Sequence, residues 1–209
     1  MSTLPIHIDV WSDYVCPFCY LELPLLDQLK AHYGDRLTVT WHAFELRPDP
    51  IPTLIPDSHY LRSTWARAVY PMAEERELTL RLPPVQPRSR RALEVAEHAR
   101  QSGQFDAMHR GIFKAFFEQG RDIGRDDILL DIANLQGIDT FELGVALEEN
   151  RHTQSVLDDE ALAQTLGITA VPTLLIRLEG QAYEEATQLS GAVDYERLTR
   201  AIETLTTQR

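Results

Sequence analysis

The chain contains two cysteines, and two residues separate them in the segment Cys16-Pro17-Phe18-Cys19. An extended pattern gives way to a helical one here, so we expect Cys16 at a helix start, where free backbone N–H groups and the helix dipole favour an anion. A thiolate stabilised in this way is both a nucleophile and a good leaving group. Pro17 suits the first helical turn, because the N–H that it lacks has no partner there. The spacing therefore predicts thiol-disulfide chemistry.

Two other interpretations of the cysteine pair are a structural zinc site and an inert disulfide or pair of buried thiols. A structural zinc site usually has four ligands, but the chain has no third cysteine, and its seven histidines show no paired ligand spacing. Pro17 argues against an inert disulfide or pair of buried thiols, because it stiffens the start of the helix. We therefore favour redox chemistry over both alternatives.

Carboxylates near the cysteines are candidates for proton transfer, because a resolving cysteine must lose its proton before it attacks. Asp13 lies three residues before Cys16. Asp9 lies in the strand pattern before the cysteines, and Glu45 lies at the end of the next strand pattern. Each of the three has an alternative role as a solvated strand or turn residue.

Composition and charge argue against nucleic-acid and membrane partners. The 209 residues are 44% hydrophobic and carry a formal net charge of -12, which opposes binding to phosphate backbones and anionic membranes. No stretch approaches the roughly 18 apolar residues of a membrane span. Residues 1–15 lack the basic and apolar regions of a secretory signal. We therefore expect a soluble, cytoplasmic protein, in which a cysteine pair is more often catalytic or redox-sensing than structural.

The first elements follow from the spacing of apolar residues. Such residues alternate over residues 6–11 and again over residues 37–42, which predicts two strands. Between them, apolar residues recur at helical spacing from Leu25 to Tyr33, and Gly34 provides the stop. Strand, helix and strand predict a right-handed βαβ unit with parallel strands.

The middle of the chain is predicted to be helical. From about residue 58 to about residue 166 the helical pattern is interrupted at Pro71 and at the proline-rich residues 83–87. Arg88, Arg90 and Arg91 form one basic cluster, which we expect on a solvated first turn of a helix, with contact to an anionic ligand as the alternative. An apolar stripe over residues 105–117 is expected to be core, with a substrate groove as the alternative.

The end of the chain returns to strands. Residues 167–173 lead into a short apolar run, a turn follows at Gly180, and a second short strand precedes a closing amphipathic helix. The order is therefore βαβ, helices, ββα. We predict that residues 1–52 and 167–209 form one discontinuous domain and that residues 53–166 form a helical insertion, whose last helix leads back into that domain.

This combination resembles a thioredoxin-fold protein of the DsbA-like class, and within it the cytoplasmic FrnE-like branch. The resemblance rests on the cysteine segment after the first strand, on the helical insertion, and on Gly-Ile-Thr-Ala-Val-Pro-Thr at residues 167–173. Residues 90–94 and 118–124 are also similar to that branch, and the resemblance covers essentially the whole chain. It implies the α/β class, with a large all-helical insertion between the N-terminal βαβ unit and the C-terminal ββα unit of a thioredoxin fold.

The resemblance also implies an activity and its residues. It implies a protein disulfide oxidoreductase in which Cys16 is the nucleophile and Cys19 resolves a mixed disulfide. It further implies that Pro172 is a cis proline and that the backbone at Val171 pairs with an extended substrate segment. Pro17 and Phe18 complete the predicted substrate-binding residues.

The predicted partners are protein thiols and disulfides, or glutathione. We expect no bound cofactor, with glutathione or another thiol as redox partner, and either a monomer or a homodimer. We expect no export signal of the kind that the periplasmic members have, and the sequence has no second cysteine pair of the kind found in some FrnE-like proteins. A related branch, resembling 2-hydroxychromene-2-carboxylate isomerases and kappa-class glutathione transferases, has a serine at the position of Cys16. A glutathione-dependent transferase or isomerase is therefore the alternative function, and a non-catalytic binding module is a third.

Overall fold

A mixed four-stranded sheet runs through the computed structural model, which describes residues 4–207. Its strands, in the spatial order β2-β1-β3-β4, are β1 (Ile6–Ser12), β2 (Leu37–Ala43), β3 (Thr173–Leu178) and β4 (Thr187–Ser190). β1 pairs in parallel with β2 and antiparallel with β3, and β4 pairs antiparallel with β3. The cysteine segment therefore follows an internal strand that is held on both sides. The predicted outer limits of the fold, residues 1–3 and 208–209, lie outside the described residues.

One helix joins the parallel strands, and most of the others lie between β2 and β3 in the chain. Helix α1 (Pro17–Tyr33) follows the cysteine turn, and α9 (Tyr195–Thr207) follows β4. The helices between β2 and β3 are α2 (His59–Thr64), α3 (Tyr70–Glu75), α4 (Arg90–Gln101), α5 (Phe105–Phe117), α6 (Asp126–Leu135), α7 (Thr140–Glu148) and α8 (Thr153–Thr165). This confirms the predicted order of a βαβ unit, an all-helical segment and a ββα unit.

The prediction that Pro71 interrupts the helical pattern is wrong. A π-helical turn, Trp65–Val69, joins α2 directly to α3, and Pro71 lies in the first turn of α3. The wider π-turn accommodates a residue that has no N–H to donate to the preceding turn. Pro24 likewise lies inside α1, which stays helical from Pro17 to Tyr33.

The apolar stripe of α5 packs the helical segment onto the cysteine-bearing helix. Phe113 and Phe117 are fully buried and stack on Tyr20 of α1, with ring centroids 5.1 Å and 6.0 Å away. The Tyr20 hydroxyl donates a 2.6 Å hydrogen bond to Glu118 just after α5. The stripe is therefore core, as predicted, and its Phe113 and Phe117 pack directly against α1.

Candidate active site

Cys16 lies at the start of α1, in the turn that follows β1. Its backbone is extended (φ -95°, ψ 110°), and Pro17 is the first helical residue. The Cys16 N–H donates to the Asp13 carbonyl and the Cys19 N–H donates to the Cys16 carbonyl, both at 3.1 Å. Both cysteines are free thiols; Cys16 is 4% exposed and Cys19 is fully buried. Cys16 is therefore the sulfur of the pair that an incoming group can reach.

The loop before β3 forms the opposite wall of the site. The Cys16 Sγ–H donates to the Val171 carbonyl oxygen at 3.6 Å, and the peptide bond between Val171 and Pro172 is cis, as the resemblance implied. Two hydrogen bonds hold this loop: the Thr173 hydroxyl donates to the Ala170 carbonyl, and the Gly191 N–H donates to the Pro172 carbonyl, both at 2.8 Å. The structure thus brings the cysteine turn and residues 171–172 together.

Cys19 lies in surroundings that disfavour its thiolate. Burial raises the pKa of Cys19 well above its ordinary value, and the neighbouring Cys16 raises it further. The Asp13 backbone and the Ser12 hydroxyl act in the opposite direction without reversing the shift. Cys19 is therefore a thiol at neutral pH, and it needs a proton acceptor before it can act as a nucleophile.

Asp13 belongs to the same turn as the cysteines and is fully buried. Its Oδ1 accepts from the Val15 N–H at 3.2 Å, and its Oδ2 accepts from the Leu46 N–H at 2.7 Å. Desolvation raises the pKa of Asp13 to about 6, although hydrogen bonds from Ser89, Leu46 and Val15 favour the charged form. A carboxyl group that titrates near neutral pH can accept and return a proton.

The other two predicted carboxylates, Glu45 and Asp9, are bound by basic side chains outside the cysteine turn. Glu45 is buried against Arg90; desolvation raises the pKa of Glu45, while Arg90 lowers it. Asp9 accepts from His42 at 3.1 Å and from Arg177 at 3.0 Å, and these contacts outweigh desolvation and hold the pKa of Asp9 below its ordinary value. The hydrogen bonds of these two carboxylates thus come from Arg90, from His42 and Arg177, and from the Tyr183 hydroxyl, and not from the cysteines.

The basic cluster of the sequence is divided among separate partners, contrary to the expectation of one solvated turn. Arg88 pairs with Asp49, Arg90 with Glu45 and Arg91 with Glu94. Asp49 and Glu45 lie in the segment after β2, far from their partners in the chain, so these two pairs had no local sequence signal, whereas Arg91 and Glu94 are three residues apart on α4.

A cavity of about 260 Å³ opens beside Cys16. The predicted site residues Cys16, Pro17, Phe18 and Val171 line it, and Pro172 follows directly. The remaining walls are mostly apolar and come from the loop after β2, from α2 with its π-turn, from the loop before α4 and from the end of α5. No pattern in the sequence identified Thr64 or Trp65 as lining residues, whereas Phe117 belongs to the apolar stripe for which a substrate groove was the alternative.

The part of the chain that the structure describes, residues 4–207, contains no group of three His, Cys, Asp or Glu side chains that could hold a metal ion. No helix in the same part is both long enough and apolar enough to cross a membrane.

Comparisons with known proteins agree with this geometry. A family model described as DSBA-like thioredoxin domain matches residues 7–203. The uncharacterised protein YwbO of Bacillus subtilis (strain 168) is 34% identical over 179 residues, which cover 83% of this chain and 88% of that protein.

Solved structures share the fold at lower sequence identity. A probable DsbA oxidoreductase from Streptomyces coelicolor has a TM-score of 0.78 at 23% identity, covering 98% of this chain and 91% of that one. A 2-hydroxychromene-2-carboxylate isomerase has a TM-score of 0.75 at 19% identity, covering 97% of both chains. The cytosolic disulfide reductase DsbM from Pseudomonas aeruginosa, in a structure with GSH, has a TM-score of 0.68 at 20% identity, covering 97% and 98%. The predicted thioredoxin fold with a helical insertion is confirmed.

Proposed function

Because the chain belongs to the DSBA-like thioredoxin domain family, we propose that it is a thiol-disulfide oxidoreductase that acts through Cys16 and Cys19. Family membership supports oxidoreductase or isomerase activity, and protein disulfides as substrates are our proposal. One observation carries it: Cys16 lies at a helix start, 3.6 Å from the Val171 carbonyl, beside a cavity through which a substrate sulfur can approach.

The proposed reaction passes through a mixed disulfide. In the oxidising direction, a substrate thiolate attacks Cys16, the Cys16–Cys19 bond breaks, and Cys19 leaves and takes up a proton. A second substrate thiolate then attacks the substrate sulfur and expels Cys16 as a thiolate. Two thiols have become one disulfide, and the enzyme has become a dithiol. Reduction follows the same steps in reverse, and isomerisation combines the two.

Asp13 is the carboxylate that we assign to proton transfer. In the reducing direction, the buried Cys19 thiol must give up its proton before it attacks the Cys16 mixed disulfide. Asp13 shares the turn with Cys16, and its pKa of about 6 lets it be charged at neutral pH and still accept a proton.

We propose that an extended substrate segment pairs with the backbone at Val171 beside Pro172, while Pro17 and Phe18 contact it from the cysteine side. Main-chain hydrogen bonds carry little side-chain information, so such a site accepts many sequences. We also propose that the protein works in the cytoplasm with glutathione or another thiol as its redox partner, in line with the structure of DsbM with GSH.

A glutathione redox titration combined with two activity assays tests this proposal. Reduction of insulin and repair of a scrambled disulfide protein should both require Cys16, and Cys16→Ser should abolish them. The redox titration should give one two-electron transition, which is absent from Cys16→Ser. Activities that survive Cys16→Ser would contradict the proposal.

A second candidate function is a glutathione-dependent transferase or isomerase for a small molecule. The cavity beside Cys16 favours it, because about 260 Å³ of mostly apolar space can enclose a small ligand. This function predicts saturable glutathione binding and a turnover that survives Cys19→Ser. The proposed oxidoreductase loses its resolving step in the same variant, so Cys19→Ser separates the two functions.

A further inference from the structure

Two buried polar atoms near the cysteines lack a hydrogen-bond partner within the described residues. They are the Ser12 hydroxyl oxygen, at the end of β1, and Nε2 of His109, in the middle of α5. Ser12 is 5% exposed and His109 is 2% exposed. Burial of a polar group without a partner costs stability, so native proteins usually satisfy such groups with a buried water.

Both residues line the same small cavity. It has a volume of about 10 Å³, and Tyr14, Trp41 and Phe105 also form its walls. A single water needs roughly 10–15 Å³ of such space and two to four polar neighbours. One water molecule that reached both Ser12 Oγ and His109 Nε2 would satisfy both atoms at once.

The other ring nitrogen of His109 contacts Tyr14. The Tyr14 hydroxyl lies 2.8 Å from Nδ1 of His109. Desolvation lowers the pKa of His109 to about 3, so the ring is neutral at physiological pH and carries one proton. When Tyr14 donates to Nδ1, the ring proton lies on Nε2 and points into the cavity.

The groups described so far are Tyr14, His109 and Ser12. The next group after Ser12 is the resolving cysteine, Cys19. The Ser12 hydroxyl makes no hydrogen bond to the Cys19 thiol, yet it favours the Cys19 thiolate and so acts to lower the pKa of Cys19, against the larger effect of burial. Ser12 therefore joins the cavity to a sulfur that must become a thiolate during catalysis.

We propose that Ser12, one buried water and His109 form a hydrogen-bond chain, beginning at Tyr14, that stabilises the Cys19 thiolate during resolution of the mixed disulfide. Each member donates to the next: Tyr14 to His109, His109 to the water, the water to Ser12, and Ser12 to Cys19. His109 acts through the water and Ser12 and is a positioning residue. Donors that polarise one another in a low dielectric stabilise an anion more than a single hydroxyl does.

This chain rests on the proposed function, because a resolving step exists only after Cys16 has formed a mixed disulfide. In that step the Cys19 proton passes to Asp13 and from there to solvent. The Cys19 thiolate attacks Cys16, the bond between Cys16 and the substrate sulfur breaks, and the substrate leaves as a thiolate that takes up a proton.

Several charged or titratable groups face this chain from the surrounding elements. They are Asp13 and Cys16 in the cysteine turn, Lys30 on α1, His42 on β2, Glu97 and Arg100 on α4, and Asp106 and Arg110 on α5. A substitution at Ser12 alters none of them, so they are the same in Ser12→Ala and in the unaltered protein.

Stopped-flow reaction of the reduced protein, in excess, with a chromogenic aromatic disulfide tests the chain without a physiological substrate. The first release of the coloured thiolate reports attack by Cys16, and the second reports resolution by Cys19. We expect Ser12→Ala to slow the second phase about tenfold across the pH range, because a hydrogen bond to an anion is lost, and to leave the first phase unchanged. Ser12→Thr keeps a hydroxyl and should restore most of the rate.

Ser102→Ala is the matched control, because the Ser102 hydroxyl bonds to Ala99 and Gln104 at the end of α4 and not to the cysteine turn. An equal second phase in Ser12→Ala and the unaltered protein would overturn the chain. Absence of the first phase would instead contradict the proposed function. A high-resolution crystal structure gives the second test: electron density for a water within hydrogen-bond distance of Ser12 Oγ and His109 Nε2 supports the chain, and an empty cavity overturns it.

Discussion

The sulfur of Cys16 and the carbonyl oxygen of Val171 lie 3.6 Å apart, although 155 positions separate the two residues in the chain. The contact exists because β1 and β3 are neighbours in the sheet, so the turn after β1 meets the loop before β3 at one edge. The long helical segment between β2 and β3 adds the remaining walls of the cavity. Thus all three parts of the fold contribute to the same site.

Replacement of Asp13 tests its role in proton transfer. We predict that Asp13→Asn removes the inflection near pH 6 from the pH profile of kcat/KM and lowers the rate at neutral pH by about tenfold or more, because Asn cannot accept a proton. The rate of reduction of a protein disulfide, measured from pH 5 to pH 8 or so, gives this profile. Glu45→Gln and Asp9→Asn are the controls and should keep the inflection; its persistence in Asp13→Asn would exclude Asp13.

His42 should make stability fall at alkaline pH. Desolvation alone would lower the pKa of His42, but hydrogen bonds and charges from Asp159 and Asp9 raise it from 6.5 to about 9. Since the folded pKa exceeds the unfolded one, the contribution is fully present below about pH 6.5 and is lost as pH rises through about 9. We expect a loss on the order of 2 kcal/mol in the free energy of unfolding over this range, from urea titrations. The His42→Gln variant should lose less free energy of unfolding over the same pH range. An equal dependence of this free energy on pH in the variant and in the unaltered protein would contradict the role of His42.

Arg76 and Glu22 form a buried ion pair between the end of α3 and α1. Their charged atoms lie 3.5 Å apart, and Arg76 also donates to the carbonyls of Leu21 and Val193. We predict that Arg76→Ala lowers the free energy of unfolding by about 3 kcal/mol, because it leaves a buried carboxylate without its cation. The double variant with Arg76→Ala and Glu22→Gln should recover part of the lost free energy of unfolding.

The exposed pair of Arg200 and Glu196 is the control for the Arg76 variant, since both side chains are mostly in water. Arg200→Ala should leave the urea midpoint unchanged within error. If Arg76→Ala were equally neutral, the buried pair would contribute nothing to stability.

The cavity beside Cys16 should control substrate access. We predict that Thr64→Trp, which places a large ring in the cavity wall, lowers kcat/KM about tenfold or more, because Cys16 is nearly buried and is approached from this side. Steady-state assays with an insulin substrate measure the effect. Gln164→Trp, in a different groove lined by Glu160 and Thr169, is the control and should keep normal activity. Full activity of Thr64→Trp would show that substrates reach Cys16 by another route.

Local patterns in the sequence predicted the strands around the cysteines, the helix start at Cys16 and the core stripe on α5, because periodicity and turn chemistry are encoded by near neighbours. The opposite wall at Val171 came from a resemblance rather than from spacing. Asp9 was a reasonable candidate for proton transfer until His42 and Arg177 were seen to bind it. Such partners come from distant parts of the chain, and one sequence contains no signal for them.

The most direct test of the proposed mechanism is to trap its intermediate. Cys19→Ser, incubated with a scrambled disulfide protein, should accumulate a covalent adduct whose disulfide joins the substrate to Cys16, as mass spectrometry of non-reduced peptides would show. Reductant should release the substrate, and the variant with serine at both cysteine positions should form no adduct. Absence of any adduct on Cys16, in a folded protein whose Cys16 thiol still reacts with a small disulfide, would contradict a protein disulfide oxidoreductase.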